Sequence, residues 1–319
     1  MKKSIFAFAA ALAALVACNK NDVAPMQPQN QESRVPCELT VGICGAMTKA
    51  TAVSADNEAK VNNLQVFVFR GDYLDAYASV DNAQELTLSC TAGDRVVYAL
   101  VNAPDYSAVP GKAALLAKVS ELSANSLSNF EMVGSKSVTL PQSEKVSIDV
   151  NRIASRVVLK KITRSFTSEA LQALNFKVDA IYLINVAGNT SYDLSAAPAK
   201  WYNVAENKNE LASLLYDAPA SLITNGQSYS TAHTFYAYPN DLATNTTRLV
   251  IETTLGETKY YYPINLPEMA ANKSYEIEEV KITRPGSDNP DEPVSFADAT
   301  FSINVIDWTV VPVTEGTTI

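Results

Sequence analysis

Apolar and polar residues alternate along most of the chain, which is the period of half-buried β-strands. In the first such run, 38–43, Leu39, Val41 and Ile43 lie on one face, with polar or small residues between them. Similar runs predict further strands at 64–69, 85–90, 94–102, 136–150, 152–166, 178–186, 234–238, 248–254, 259–264 and 275–282. The chain therefore consists mainly of short strands.

Helical spacing of apolar residues is rare. It predicts a helix over 112–123, just after Pro110 and Gly111, and a shorter helix over 206–216. Many short strands with few short helices predict an all-β fold of β-sandwiches. The 319 residues leave room for two such domains, and we place the boundary at Asn151.

The end of the chain carries a further strand signal. Residues 285–293 hold three prolines, a glycine and several acids, and predict an extended linker. A strongly β-forming tail, 299–313, follows it. Its apolar residues change phase after Val305, which predicts a bulge or a change of sheet. The tail is either the last strand of its own domain or a segment that leaves that domain.

The first eighteen residues predict export. A positive start, Met1-Lys2-Lys3, precedes an apolar run that is too short to be a permanent transmembrane helix. The run ends in Leu15–Cys18, the pattern of a lipobox, so we expect Cys18 to carry a diacylglycerol thioether. Acyl chains such as palmitate would then anchor the chain to a membrane. A plain secretory signal with an incidental cysteine is the simpler alternative.

Charge and histidine content exclude several function classes. The net charge of −9 and the pI of about 4.8 argue against nucleic acid and against a basic lipid-docking patch. The single histidine, His233, lies in an alternating stretch without ligand spacing, so a strand-face role is favoured over a catalytic one. Phosphate-loop, HExxH and GxSxG motifs are absent from the sequence. We therefore expect no enzymatic activity and no cofactor.

Cysteine spacing does not favour a disulfide framework. Lipidation of Cys18 would leave Cys37, Cys44 and Cys90, an odd number. If one strand contains both Cys37 and Cys44, their Cα atoms lie about 23 Å apart at about 3.3 Å per residue. That separation is far beyond disulfide reach.

The first strand and the tail carry matching apolar faces. Leu39, Val41 and Ile43 correspond in spacing to Phe301, Ile303 and Val305, so the two segments could occupy the same kind of groove in turn. A polar loop containing Lys49 follows the first strand and is a good protease target. A cut between Lys49 and Ala50 would detach the first strand and leave edges open to strand addition. Because any two amphipathic strands share this pattern, the match alone is weak.

Several segments together resemble the fimbrillin family of Bacteroides-type bacteria, the subunits of lipoprotein-derived (type V) pili. They are the lipobox Leu15–Cys18 with Asn19-Lys20, the strand Leu39–Ile43 followed by Lys49, and the runs Val61–Phe69, Val150–Val157 and Ile303–Trp308. In many members the cleaved bond follows an arginine, whereas Lys49 holds that position here. Arg34 is a second basic candidate, but a cut there would not open the groove.

The resemblance implies an all-β fold of two transthyretin-like β-sandwich domains with a few short helices. It implies a signal peptide (1–18), a tether and first strand lost on maturation (19–49), two sandwich domains (50–151 and 152–284), and a linker with a donor tail (285–319). The displaced strand would be Leu39, Val41 and Ile43. The donor strand would present Phe301, Ile303, Val305, Ile306, Trp308 and Val310.

The leading hypothesis is a structural subunit of an adhesive fimbria that polymerises by donor-strand exchange. A cleavable loop and a C-terminal donor favour a stalk subunit over a lipid-retaining anchor. Expected partners are copies of itself or related fimbrial subunits, a maturation protease, and the outer membrane through the lipid before cleavage. The sequence does not identify the surface receptor. We expect a lipidated outer-membrane precursor that becomes part of an extracellular fimbria.

The main alternative is a monomeric surface lipoprotein that binds glycans. Its candidate aromatic residues are Trp201-Tyr202 and Tyr260-Tyr261-Tyr262. Packing in the sandwich core or at its edge is the simpler interpretation of both clusters. A hydrolase is the third hypothesis and has no motif in its favour.

Overall fold

Strands dominate the structure, and the all-β prediction is confirmed. The computed structural model describes residues 35–44, 55–204, 207–241, 245–292 and 298–308. Their strands are, in chain order, β1 (Pro36–Cys44), β2 (Asn63–Arg70), β3 (Tyr73–Asp81), β4 (Glu85–Thr91), β5 (Gly93–Val101), β6 (Val119–Glu121), β7 (Met132–Leu140), β8 (Val146–Asp149), β9 (Asn151–Arg152), β10 (Ser155–Leu159), β11 (Ile162–Arg164), β12 (Phe176–Ile184), β13 (Val186–Ala187), β14 (Asn189–Ser191), β15 (Trp201–Tyr202), β16 (Tyr216–Asp217), β17 (Ser221–Leu222), β18 (Ser228–Tyr229), β19 (His233–Ala237), β20 (Arg248–Leu255), β21 (Thr258–Asn265), β22 (Lys273–Ile282) and β23 (Ala299–Asp307). The short helices are α1 (Ala55–Glu58), α2 (Lys112–Leu116), α3 (Glu169–Gln172) and α4 (Ala212–Leu215).

Two sheets are built from the first half of the chain. One has three strands in the order β4-β1-β8, in which β1 is antiparallel to β4 and parallel to β8. The other has five strands in the order β3-β2-β5-β7-β9. Gly71, with φ of +61°, forms the tight turn between β2 and β3. The inner faces of both sheets contribute to one buried core.

Two larger sheets are built from the second half. The first has the order β18-β11-β22-β10-β19, and β23 pairs with β22 beside it. The second has the order β16-β12-β20-β21, with β17 also paired to β12. Each of these four sheets draws its strands from one side of residues 153–154. The buried core is nevertheless continuous across both halves, and the two-domain, transthyretin-like description stays a prediction.

The helix predicted over 112–123 is wrong in its second half. Helix α2 ends at Leu116, and the chain continues as β6 and a 3₁₀ turn, Leu122–Ala124. Strand β6 pairs with β14 from the other half of the chain, and Ser120 is buried with its hydroxyl 2.5 Å from the Tyr238 hydroxyl. This long-range pairing overrides the local helical spacing. The predicted 206–216 helix is limited to α4, and the predicted 136–150 strand is two strands, β7 and β8.

None of the helices in the described part of the chain has the length and apolar character needed to cross a bilayer.

Candidate strand-exchange site

Strand β1 is the central strand of its sheet, and its neighbours pair with both of its edges. Residues Pro36–Gly42 are in register with β4, and Val41–Cys44 are in register with β8. Leu39 and Val41 are 2% and 0% exposed, and Ile43 is half-buried against the same core. If β1 left, backbone groups on β4 and β8 would lose their partners at the same time, which is a template for another strand.

The walls of this groove are apolar on the core side. They comprise Leu86, Leu88 and Cys90 of β4 and Val146 and Ile148 of β8, all of which are buried. A strand that replaced β1 would need apolar side chains at alternate positions, because each large buried side chain contributes about 1.5–3 kcal/mol. The displaced-strand residues of the sequence prediction therefore lie on the buried face of β1.

The β4 wall is fixed to the neighbouring sheet independently of β1. The Thr91 amide N–H and hydroxyl donate to the two carboxylate oxygens of Asp75 on β3, at 2.9 and 2.7 Å. Arg95 Nε on β5 donates to the same carboxylate at 3.1 Å. Burial opposes ionisation of Asp75, but the hydrogen bonds from Thr91 and Arg95 outweigh it and lower the pKa of this carboxyl. These bonds would hold β4 in place after β1 had gone.

A surface ion pair connects the two walls. Lys145 Nζ, just before β8, lies 2.7 Å from Glu85 Oε2 at the start of β4. The Lys145 side chain passes over Gly42 of β1, where a Cβ would lie 3.0 Å from the lysine Cδ atom. Both side chains are about half exposed, so the pair contributes no more than about 1 kcal/mol. The ion pair therefore covers part of the outer face of β1 but adds little to the stability of that strand in its groove.

The predicted lipidation site, the predicted cleavage site and one predicted donor-strand residue lie outside the described residues. They are Cys18, the Lys49-Ala50 bond and Val310. The described chain stops at Cys44 and resumes at Ala55, so the predicted cut falls between β1 and α1.

The tail folds back on its own half of the chain, where β23 is antiparallel to β22. Among the described strands, β22 is the one with which β23 pairs, so β23 forms a sheet edge there. Phe301 and Ile303 are half-buried against the core, whereas Val305 and Ile306 are 49% and 47% exposed. The predicted bulge at the phase change is absent from this ladder, because its register shift lies in β22, between Ile277 and Val280.

The phase change after Val305 instead turns Trp308 into the protein. Its indole is 1% exposed and packs on Phe130 and Tyr236, with ring centroids 5.5 and 5.7 Å away. The guanidinium carbons of Arg152 and Arg156 lie 4.5 and 5.3 Å from the indole centroid. The described part of the tail therefore has one strand at a sheet edge and one deeply buried anchor.

Glu58, the last residue of α1, binds this anchor. The indole Nε1 of Trp308 donates to Glu58 Oε2 at 3.1 Å, and Arg156 Nη1 lies 3.0 Å from the same oxygen. The Tyr236 hydroxyl donates to the other carboxylate oxygen. Arg152 Nη2 donates to the Glu58 backbone carbonyl at 3.0 Å, and burial lowers the pKa of Arg152 to about 10. Glu58 is fully buried and needs such partners.

Sequence reasoning missed Glu58 completely. The residue lies in the polar stretch between the predicted strands 38–43 and 64–69, and an acid in such a stretch is normally solvated. Its partners come from positions 152, 156, 236 and 308, which are remote in sequence. The one available indication of a buried acid is the presence of Arg152 and Arg156, two basic residues near the start of an otherwise apolar predicted strand.

The other sequence candidates are structural. His233 Nδ1 lies 2.7 Å from Asp217 Oδ2, and the ring packs beside Tyr229 on a strand face. Tyr202 and Tyr262 are buried, while Trp201 and Tyr260 are half-buried against the core. Core and edge packing thus accounts for these aromatics, and no metal-binding group of His, Cys, Asp and Glu is present in the part of the chain described.

Strands β1 and β23 belong to different sheets in the part of the chain that the structure describes. Strand β1 lies in the three-stranded sheet, and β23 lies in a sheet of the other half. An exchange that placed the tail in the β1 groove would therefore involve two molecules more readily than one.

Comparison with known proteins gives one family match over part of the chain and several solved structures with a similar fold. Residues 38–157 match the family model of the major fimbrial subunit protein (FimA), a segment that begins inside β1 and ends inside β10. A candidate cell adhesion protein from Bacteroides eggerthii superposes with a TM-score of 0.68 at 21% identity, covering 86% of this chain and 97% of that one.

Two Porphyromonas gingivalis structures share the fold. The fimbrilin (FimA) of strain W83 gives a TM-score of 0.63 at 16% identity, covering 86% of this chain and 98% of that chain. The tip fimbrial protein Mfa3, with a C-terminal truncation, gives 0.54 at 12% identity, covering 86% and 100%. These identities establish the fold alone. The resemblance that the sequence indicates is therefore confirmed: residues 38–157 match the FimA major fimbrial subunit family, and the chain has a fimbrilin-like fold.

Proposed function

We propose that this chain is a stalk subunit of an adhesive fimbria, exported as a lipoprotein through Cys18. Cleavage after Lys49 removes β1, and the tail of another subunit takes its place. The single observation that best supports this is the position of β1, a central strand between two walls. The segment between β1 and α1 contains the predicted cut, so one cleavage suffices to separate β1 from the body.

The energetics favour transfer of the tail once β1 has gone. In its own chain β23 pairs along one edge only and leaves Val305 half exposed. In the groove, a strand would pair along two edges, with each hydrogen bond contributing about 0.5–1.5 kcal/mol net. It would also bury side chains at the positions that Leu39 and Val41 occupy in the precursor. The Trp308 anchor opposes release and would keep the tail docked until a groove is available.

N-terminal sequencing of fimbriae sheared from cells tests the maturation step. A mature subunit should begin at Ala50, and Lys49→Ala should leave a lipidated monomer on the membrane. Arg34→Ala is the matched control and should assemble normally. Fimbriae whose subunits begin at acylated Cys18 would refute the proposal.

A pair of substitutions on opposite faces of β23 tests the donor assignment. Ile303→Asp places a carboxylate in an apolar groove at a cost of several kcal/mol and should abolish polymer. Ser302→Asp, on the exposed face, should leave assembly largely intact. Truncation after Pro293 should give a folded monomer that cannot extend a fibre. Normal polymer from the truncated chain would show that another segment fills the groove.

A further inference from the structure

Two thiols face each other across the β1–β4 ladder. Cys37 and Cys90 are register partners, and their Sγ atoms lie 3.7 Å apart. The Ala92 amide donates to the Val35 carbonyl at 2.8 Å, next along the ladder. Because hydrogen-bonded pairs alternate along antiparallel strands, Cys37 and Cys90 form such a pair, with Cα atoms about 5.5 Å apart. That Cα separation lies within the range of disulfides. The Cβ atoms of a hydrogen-bonded pair lie toward the upper end of about 4.5–5.5 Å, whereas a disulfide needs about 3.5–4.5 Å, so bond formation requires a small approach of the two strands as well as side-chain rotation.

We propose that Cys37 and Cys90 form a disulfide that keeps β1 in its groove after the chain has been cut. Cys37 belongs to the segment that cleavage detaches, and Cys90 belongs to the wall that remains. The bond would keep the cleaved β1 covalently attached to β4, so strand exchange would require reduction of the disulfide as well as proteolysis. This consequence for assembly rests on the proposed function, whereas the cross-link itself does not.

The chemistry is thiol–disulfide exchange with a disulfide-bonded oxidant. The Cys37 thiolate attacks the oxidant and forms a mixed disulfide, which releases one oxidant thiol. The Cys90 thiolate then attacks the Cys37 sulfur and expels the second oxidant thiol. Overall the two cysteines lose two protons and two electrons, and the oxidant is reduced to two thiols.

The surroundings of the two sulfurs set the order of these steps. Cys37 is half-buried near the start of β1, whereas Cys90 is 5% exposed. Burial, followed by the hydrogen bond with Cys37, raises the pKa of Cys90 to about 12. Cys37 is therefore the thiol that meets the oxidant. A thiol of high pKa is also a poor leaving group, so a reductant that attacked Cys37 would open the bond slowly.

The test uses the full chain with Cys18→Ser, which removes the lipidated thiol. The protein is incubated with oxidised glutathione, cut with trypsin at Lys49, and run on a denaturing gel without reductant. We expect the β1 fragment to stay attached to the body, and mass spectrometry to find one peptide pair joining Cys37 and Cys90. Dithiothreitol should release the fragment. Cys44→Ser should behave like the parent, and Cys37→Ser should lose the cross-link.

The cross-link proposal would be overturned if both thiols remained open to alkylation after oxidation, or if Cys37 paired with a second molecule. Cys90→Ala provides a second variant should Cys37→Ser fold poorly. A labelled peptide of residues 298–313 then tests the consequence for assembly. Oxidised, cut protein should bind it only after reductant is added, and equal binding without reductant would refute the gating role. If the peptide bound neither form, donor exchange would fail while the cross-link result still stood.

Discussion

Replacing Trp308 with alanine should undock the tail and destabilise the folded precursor. The indole is 1% exposed, lies among two aromatic rings and two guanidinium groups, and donates to Glu58. Removal of a buried tryptophan side chain costs about 3–5 kcal/mol, a value that already includes its packing contacts. Since domains of this kind have about 5–15 kcal/mol of total stability, the loss would be a large fraction of it.

The effect can be measured as a melting temperature and as amide exchange. For a domain of 150–250 residues, 1 kcal/mol shifts the Tm by about 2–4 °C, so we expect a fall of roughly 6–20 °C. Amide protons of β23 should exchange faster, because little else on the tail is fully buried besides Ala299. The chain has two tryptophans, and Trp201, which is half-buried on β15, provides the control.

Trp201→Ala should shift the Tm less and leave exchange in β23 unchanged. The reasoning would be refuted if Trp308→Ala shifted the Tm no more than Trp201→Ala and left β23 protected. That result would mean that pairing with β22 holds the tail in place without the Trp308 indole.

Two buried carboxylates give further predictions, each checked by urea unfolding at several pH values. Asp75→Ala should lower the free energy of unfolding by about 3–5 kcal/mol at pH 7, because Arg95 would remain buried without its carboxylate partner. The pKa of Asp75 is lowered in the folded state, so the parent should lose this part of its stability as the pH falls below about 4. Burial raises the pKa of Glu131, so between about pH 4.3 and that raised value the folded chain binds more protons than the unfolded chain. The free energy of unfolding should therefore fall as the pH rises through this window, and Glu131→Gln should be more stable than the parent at pH 7 but not below pH 4. An Asp75→Ala variant as stable as the parent, or a Glu131→Gln variant less stable at pH 7, would contradict the respective prediction.

Strands with one clearly buried face could be predicted from the sequence. Leu39 and Val41 of β1 alternate with polar residues, as in a strand that packs one face on a core. Strand β2 is a continuous apolar run that is buried on both faces, and both predicted strands lie within the bounds of the observed ones. Strand β3 gave no comparable signal because most of its residues are half exposed on both faces. Strand β3 forms because it pairs with β2, and the sequence of β3 by itself does not reveal that pairing.

The second half of the predicted 112–123 helix and the role of Glu58 show the same limit at longer range. Val119 belongs to a strand because β14, about seventy residues later, supplies the partner edge. Glu58 is buried because two arginines, a tyrosine and a tryptophan from distant segments converge on it. In both cases the deciding interaction is tertiary, so local periodicity and polarity indicate the wrong environment. The lipobox and the cut site remain predictions from sequence alone.

The two exchangeable segments are bound in opposite ways, and this difference gives the proposed assembly a direction. Strand β1 is paired on both edges and buries Leu39 and Val41, so under the proposed function it would leave its groove only after the chain has been cut. The described part of the tail is paired on one edge, and Trp308 is its most deeply buried large side chain, so in the proposed assembly a vacant groove would add a second paired edge. Glu58 connects the two, because it ends the first helix after the predicted cut and binds Trp308 directly. A change at the new N-terminus that moved α1 would weaken the anchor of the tail, so proteolysis could both open a groove and loosen a donor in the same molecule.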